Sequence, residues 1–103
     1  MVATRLREII SAKVPLRLNI KTMKVSIDIS MYPLNPDYKP SIKAFIGALN
    51  SHSEITTQEN NMSTQVFGEY RDAMCIVTEE IEKASDDEPK VVFVMKLIPF
   101  DLQ

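Results

Sequence analysis

Hydrophobic and polar residues alternate along the segment from Lys24 to Leu34. The apolar positions are Val25, Ile27, Ile29 and Met31, and the polar or aromatic positions between them are Ser26, Asp28, Ser30 and Tyr32. Successive side chains of a strand leave opposite faces of a sheet, so this period of two predicts a β-strand with one buried face. The simplest interpretation of the other face is that it is exposed to solvent, because antiparallel sheets commonly have one solvated face. A functional surface is the alternative.

Two later segments have the spacing of amphipathic helices. In the first, apolar residues recur at i, i+3, i+4 and i+7, as Ile42, Phe45, Ile46 and Leu49. This helix should follow the prolines near Asp37 and end between Asn50 and His52. The second helix should run from about Glu69 to Ala84, after Gly68, with Met74, Val77 and Ile81 on its inward stripe.

Three further segments predict strands. Residues 54–60 and 62–67 should form a hairpin around the Asn60–Asn61 pair, since asparagine tolerates turn geometry. Residues 90–99 are strongly β-prone and apolar on both faces. The order βαββαβ predicts an α+β, ferredoxin-like sandwich, with a four-stranded antiparallel sheet and two helices on one face. The first and third strands would be central in that sheet.

Size and composition indicate one small domain. The chain has 103 residues, of which 45% are hydrophobic and 25% charged. So small a core leaves stability marginal, which favours self-association. The single cysteine, Cys75, excludes an internal disulfide, and we expect a buried, inert thiol. No apolar stretch is long enough for a membrane span, so the expected compartment is the cytoplasm.

Charge divides the chain at Met23. Five basic residues and one acidic residue give residues 1–22 a net charge of +4, which leaves −6 for residues 23–103 from a total of −2. The basic segment lacks the continuous apolar core of a secretory signal. A mobile arm, a short docking helix and an extension upstream of a natural start at Met23 are the open interpretations. The last is favoured because the regular pattern begins there.

Several chemistries find no support in the sequence. His52 is the only histidine and has no neighbouring cysteine or paired carboxylate, so no metal site and no catalytic residue is predicted. The chain has only two glycines, which excludes a glycine-rich phosphate loop. An acidic body argues against nucleic acid as a partner.

Three segments resemble the YkoF-related family of thiamine-binding proteins, which are small ferredoxin-like domains. They are residues 25–34 (VSIDISMYPL), 60–69 (NNMSTQVFGE) and 92–102 (VFVMKLIPFDL). The likeness spans residues 23–103 and leaves residues 1–22 without a counterpart. It implies non-catalytic binding of thiamine or of its hydroxymethylpyrimidine part, in salvage or transport, with no other cofactor. Because some members carry two such domains, it also implies a homo-oligomer, a dimer or tetramer formed through the open sheet face.

The ligand-binding residues that this resemblance suggests are Asp28, Ser30, Tyr32, Asn60, Ser63 and Thr64. Asp28 would accept from the ligand's amine or balance its cation, the serine, threonine and asparagine side chains would supply hydrogen bonds, and Tyr32 would stack on a ring. Each residue also has a structural interpretation. Asp28 would pair with Lys96 across two strands, Asn60 would only form a turn, and Ser63 and Thr64 would point to opposite faces.

Two other functions stay open at this point. One is a regulatory or oligomerisation module that binds no small molecule. The other is a small enzyme, although no pair of base and nucleophile is visible in the sequence.

Overall fold

The computed structural model describes residues 22–103, so the predicted N-terminal extension lies outside the described residues except for Thr22. The elements in chain order are β1 (Lys24–Pro33), α1 (Lys39–Asn50), β2 (Thr56–Glu59), β3 (Thr64–Glu69), α2 (Tyr70–Asp87) and β4 (Val91–Ile98). The strands form one antiparallel sheet in the order β2-β3-β1-β4. The predicted ferredoxin-like sandwich is confirmed, with β1 and β3 in the centre.

The boundary between β3 and α2 differs from the prediction. Gly68 lies inside β3, and the helix begins two residues later, at Tyr70. Glu69 caps the helix, because its carboxylate accepts hydrogen bonds from the backbone N–H groups of Arg71 and Asp72. The helix then continues past Ala84 to Asp87, two residues before Pro89, which cannot supply a helical N–H.

The core lies between the sheet and the two helices. Its largest fully buried side chains are Val25, Ile27, Ile29, Leu49, Val66 and Val77. The apolar alternation of β1 therefore faces the helices as predicted. Phe45 of α1 reaches the edge strand β4, where its ring centroid is 5.2 Å from that of Phe93.

The other face of the sheet has three different regions along β1. At one end the C-terminal segment crosses it, because the Ser26 hydroxyl donates to the carbonyl oxygen of Phe100 and accepts from the N–H of Leu102. Asp28 lies in a polar middle region. At the far end Tyr32, Val92 and Val94 expose apolar surface. The open face is thus covered by the C-terminal segment at one end, polar in the middle and apolar at the other end.

One expectation about α2 is wrong. Cys75 is exposed instead of buried, since it lies beside the inward stripe. On the same helix, Glu80 is only 5% exposed. The Nε2 atom of His52 lies 2.8 Å from the Oε2 atom of Glu80, and the Lys83 ammonium lies 3.7 Å from the same oxygen.

None of the helices in residues 22–103 has the length and hydrophobicity that a membrane span requires.

We expect His52→Ala to lower the free energy of unfolding by about 1 to 3 kcal/mol, because it removes a hydrogen-bond partner from a buried carboxylate. Urea unfolding at neutral pH measures this, with the exposed Glu82→Gln as the control variant. Equal stabilities for wild type and His52→Ala would contradict a structural role for the pair.

Candidate functional site

A groove of about 480 Å³ opens between α1, the end of β1 and the turn that joins β2 to β3. This β2–β3 turn comprises residues 60–63. The groove exists because β1 extends beyond the neighbouring strand β3 at this end of the sheet. β3 begins at Thr64, opposite Ile29, whereas β1 continues to Pro33 with only β4 beside it. The space that a longer β3 would fill is therefore left open.

The walls of the groove are mainly apolar and aromatic. They include Tyr32 at the end of β1, Tyr38 just before α1, Phe45, Ile42 and Ile46 on α1, and Met62 in the turn. The inward stripe of α1 thus has two roles. Leu49 and Phe45 are buried in the core, while Ile42 and Ile46 are only partly buried and line the groove.

Five of the six predicted ligand-binding residues line this groove, namely Ser30, Tyr32, Asn60, Ser63 and Thr64. The sixth, Asp28, is not part of its lining. It lies next to the groove on the open face of the sheet, where it contacts Ser63. The structure therefore brings five of these residues to one cavity and connects Asp28 to it through a hydrogen bond.

The most unusual of these residues is Thr64. It is only 4% exposed, and within residues 22–103 its side-chain hydroxyl has no hydrogen-bond partner. An unpaired buried hydroxyl costs about 1 to 3 kcal/mol, and most buried polar groups avoid this cost. Thr64 lines the groove, so a polar group bound there is placed to supply the missing bond.

Ser63 and Thr64 do point to opposite faces of the sheet. Ser63 turns towards Asp28 on the open face, whereas Thr64 is opposite the buried Ile29 on the face that carries the helices. Both still line the groove, because the groove lies at the start of β3, where it reaches both sides of the sheet.

Asp28 belongs to a closed set of hydrogen bonds that we call the Asp28 network, formed by Asp28, Ser63 and Gln65. Its Oδ1 atom accepts from the Ser63 hydroxyl at 2.6 Å and from Gln65 Nε2 at 2.8 Å. Gln65 Nε2 also donates to Ser63 Oγ at 2.8 Å. The hydrogen bonds from Ser63 and Gln65 lower the pKa of Asp28 below its model-compound value of 3.8, partly opposed by burial.

Lys96 contributes less to this carboxylate than the strand pairing suggests. It is the register partner of Asp28 on β4, but the two side chains make no direct ion pair, and its charge is the weakest of the influences that lower the pKa of Asp28. Gln65 was not among the predicted site residues. The available signal was its position two residues after Ser63, on the same face of β3 and opposite Asp28.

Asn60 organises the β2–β3 turn. Its side-chain Oδ1 atom accepts from the N–H groups of Met62 at 2.7 Å and Ser63 at 3.0 Å, and its own N–H donates to the Ser63 carbonyl oxygen at 3.0 Å. The structural interpretation of Asn60 is therefore correct for its oxygen. Its side-chain Nδ2 group makes no hydrogen bond within the described part of the chain.

Among residues 22–103, no charged side chain lines the groove. Tyr38, Ile42, Ile46 and Met62 also line it, although none of them was predicted to bind a ligand. No group of three or more His, Cys, Asp or Glu residues within residues 22–103 has a geometry that could hold a metal ion. The site is suited to a ligand with flat apolar faces and a few hydrogen-bonding atoms.

We expect acid to reduce the contribution of Asp28 to stability. Because the folded-state pKa of Asp28 is lowered, this stabilisation is present above about pH 4 and is lost as the pH falls through the folded-state value. Asp28→Asn should cost on the order of 1 kcal/mol at pH 7, and this cost should shrink progressively as the pH falls below about 4. Urea unfolding of both proteins at each pH measures the difference, and a constant gap between them would contradict this role.

No protein-family model and no curated protein matches the chain, but solved structures do. A protein of Streptococcus pneumoniae superposes with a TM-score of 0.71 at 26% identity, covering 78% of this chain and 90% of that one. A protein of Methanocaldococcus jannascii gives a TM-score of 0.66 at 20% identity, covering 78% and 84%.

A third similar structure comes from Thermotoga maritima and is described as a "putative thiamine biosynthesis/salvage protein". Its TM-score is 0.66 at 21% identity, and the match covers 73% of this chain and 82% of that one. At this identity the likeness shows a shared fold. The chain is thus similar in fold to a group of small proteins, one of which carries a name that refers to thiamine.

Proposed function

We propose that the groove binds thiamine or its hydroxymethylpyrimidine part, without catalysis, in salvage or transport of the vitamin. The observation that carries this proposal is the buried hydroxyl of Thr64, which has no hydrogen-bond partner among residues 22–103 and lies in a cavity walled by aromatic and aliphatic side chains. The groove's 480 Å³ lies within the range of roughly 300 to 1,000 Å³ typical of small-molecule sites. The name of the Thermotoga maritima protein supports the choice of ligand.

The chemistry of thiamine suits the walls of this groove. Its aminopyrimidine ring is flat and carries donors and acceptors at its edge, which match the aromatic rings and the hydroxyl and amide groups of the lining. Its thiazolium ring is a cation, and the faces of Tyr32 and Tyr38 attract cations. The negative charge of Asp28 lies one hydrogen bond away from the groove.

Binding without turnover is the expected activity. The groove lining offers hydroxyls and amides, and among these described residues no nucleophile is paired with a base. His52, the only histidine in the chain, is engaged with Glu80, away from the groove.

We further propose that two copies associate through the apolar end of the open face. Val94 is 50% exposed there, and Val92 and Tyr32 lie beside it on the same face. Burying this surface would add to the marginal core of a small domain. Tyr32 belongs to both the exposed patch and the groove, so a second copy would also cover part of the groove's mouth.

Thr64→Val tests the ligand site because it replaces the hydroxyl by a methyl group of similar shape. We expect thiamine affinity to fall by about tenfold, the effect of one lost hydrogen bond of about 1.4 kcal/mol. Stability should stay the same or rise, since an unpaired buried hydroxyl has been removed. Isothermal titration calorimetry and thermal unfolding measure the two effects.

The control variant is Thr56→Val, which makes the same chemical change at an exposed position of β2 outside the groove. It should bind thiamine as the wild type does. Absence of heat and of thermal stabilisation for the wild type with millimolar thiamine and with the free pyrimidine would refute the proposed ligand.

Val94→Glu tests the association, because it places charges on the proposed contact surface. We expect light scattering coupled to gel filtration to detect a dimer or tetramer for the wild type and a monomer for Val94→Glu. Thr78→Glu, on the exposed side of α2, is the matched control and should keep the wild-type mass. A monomeric wild type at high micromolar concentration would contradict the proposal.

A further inference from the structure

We infer that hydrogen bonds within the protein fix the polarity of two side chains in the groove, so that Ser63 can only accept from a ligand and the Asn60 amide can only donate to it. Such a site selects the amino and ring-nitrogen edge of an aminopyrimidine over the inverted edge of a pyrimidinone. The inference rests on the proposed function, and it names which side chains discriminate between ligands of the same shape.

The polarity of Ser63 follows from the Asp28 network. A hydroxyl has one hydrogen and two acceptor positions. Because the lowered pKa keeps Asp28 ionised at neutral pH, its carboxylate can only accept, and the 2.6 Å contact uses the hydrogen of Ser63. Gln65 Nε2 occupies one acceptor position of Ser63 at 2.8 Å. What remains for a ligand is one acceptor position.

The orientation of Gln65 is determined by the same reasoning. Its side-chain oxygen would repel the Asp28 carboxylate, so the NH₂ group must face Asp28, and its second hydrogen then points to Ser63. Each hydrogen in the Asp28 network therefore has one assigned acceptor. For the Ser63 hydroxyl to donate to a ligand instead, its short bond to the Asp28 carboxylate would have to break, and hydrogen bonds to charged groups are among the stronger ones in proteins.

Ser30 presents the same polarity at the neighbouring position of β1. Its hydroxyl donates to the carbonyl oxygen of Met62 at 3.2 Å, and a carbonyl cannot donate in return. The hydrogen of Ser30 is thus directed away from a ligand, and only acceptor positions are left.

Asn60 supplies the opposite polarity. Its Oδ1 atom accepts two backbone hydrogen bonds that shape the β2–β3 turn, so the amide cannot flip without losing both. The Nδ2 group is left to donate. Asn60 and Ser63 are opposite each other across the turn, since the N–H of Asn60 donates to the carbonyl oxygen of Ser63. A fixed donor and a fixed acceptor therefore flank the same part of the groove.

An aminopyrimidine complements this pair. Its exocyclic amine donates, as Ser63 requires, and the adjacent ring nitrogen accepts, as Asn60 requires. In oxythiamine the amine is replaced by a carbonyl oxygen and the adjacent ring nitrogen carries a hydrogen, so both polarities are inverted. The size and the thiazolium ring are nearly unchanged, which leaves polarity as the main difference between the two ligands.

Calorimetric titration of the wild type with thiamine and with oxythiamine tests the inference. We expect thiamine to bind about a hundredfold more tightly, because the inverted edge of oxythiamine would set an oxygen against the acceptor of Ser63 and an N–H group against the donor of Asn60. In Asp28→Ala the Ser63 hydroxyl is free to donate, so the ratio of the two affinities should fall about tenfold. Thr56→Val is the control and should keep the wild-type ratio.

Thermal unfolding checks that Asp28→Ala folds. Ser63→Ala gives a second measurement that does not depend on the Asp28→Ala variant. It should weaken thiamine binding and also reduce the ratio. Equal affinities of thiamine and oxythiamine for the wild type would overturn the polarity inference and leave the proposed function intact. An unchanged ratio in both folded variants would also overturn it. Failure of the wild type to bind either compound would overturn both proposals.

Discussion

The register between β1 and β3 is the constraint on which the site depends. Asn60 holds the β2–β3 turn so that β3 begins opposite Ile29, four residues before β1 ends at Pro33. The last residues of β1 are therefore paired on one side only, and Ile42 and Ile46 of α1 line the resulting gap. The groove lies beside the core, in which Ile27 and Val77 are fully buried.

The Asp28 network connects the open face of the sheet to this groove. Asp28 is outside the cavity, yet its carboxylate determines where the hydrogen of Ser63 points. A charged group in the lining would bind a cation strongly but would be costly to desolvate. Placing the charge one residue away gives Ser63 a defined polarity while the groove lining within residues 22–103 stays uncharged, which suits a ligand with flat apolar faces.

Individual residues show which structural features the periodicity of the sequence predicts and which it does not. The apolar positions of β1 and the stripe of α1 were assigned to the core from their periodicity, and Ile29 and Leu49 are indeed buried. The same periodicity gave no sign that Ile42 lines a cavity, because core and groove positions share one helical face. Cys75 is exposed although a buried thiol was expected. The burial of Glu80 beside His52 could not be predicted, since pairing of a carboxylate with a distant histidine leaves no local signal.

The sequence by itself determined the elements, their order and the faces of the strands, because these depend on local periodicity and turn chemistry that neighbouring residues carry. It also indicated five residues that line one groove. Only the tertiary structure decided that Asp28 is hydrogen-bonded to Ser63, that Gln65 joins them and that Thr64 is buried without a hydrogen-bond partner among residues 22–103. Those features depend on strand register and on contacts between residues far apart in the chain, which no local pattern encodes.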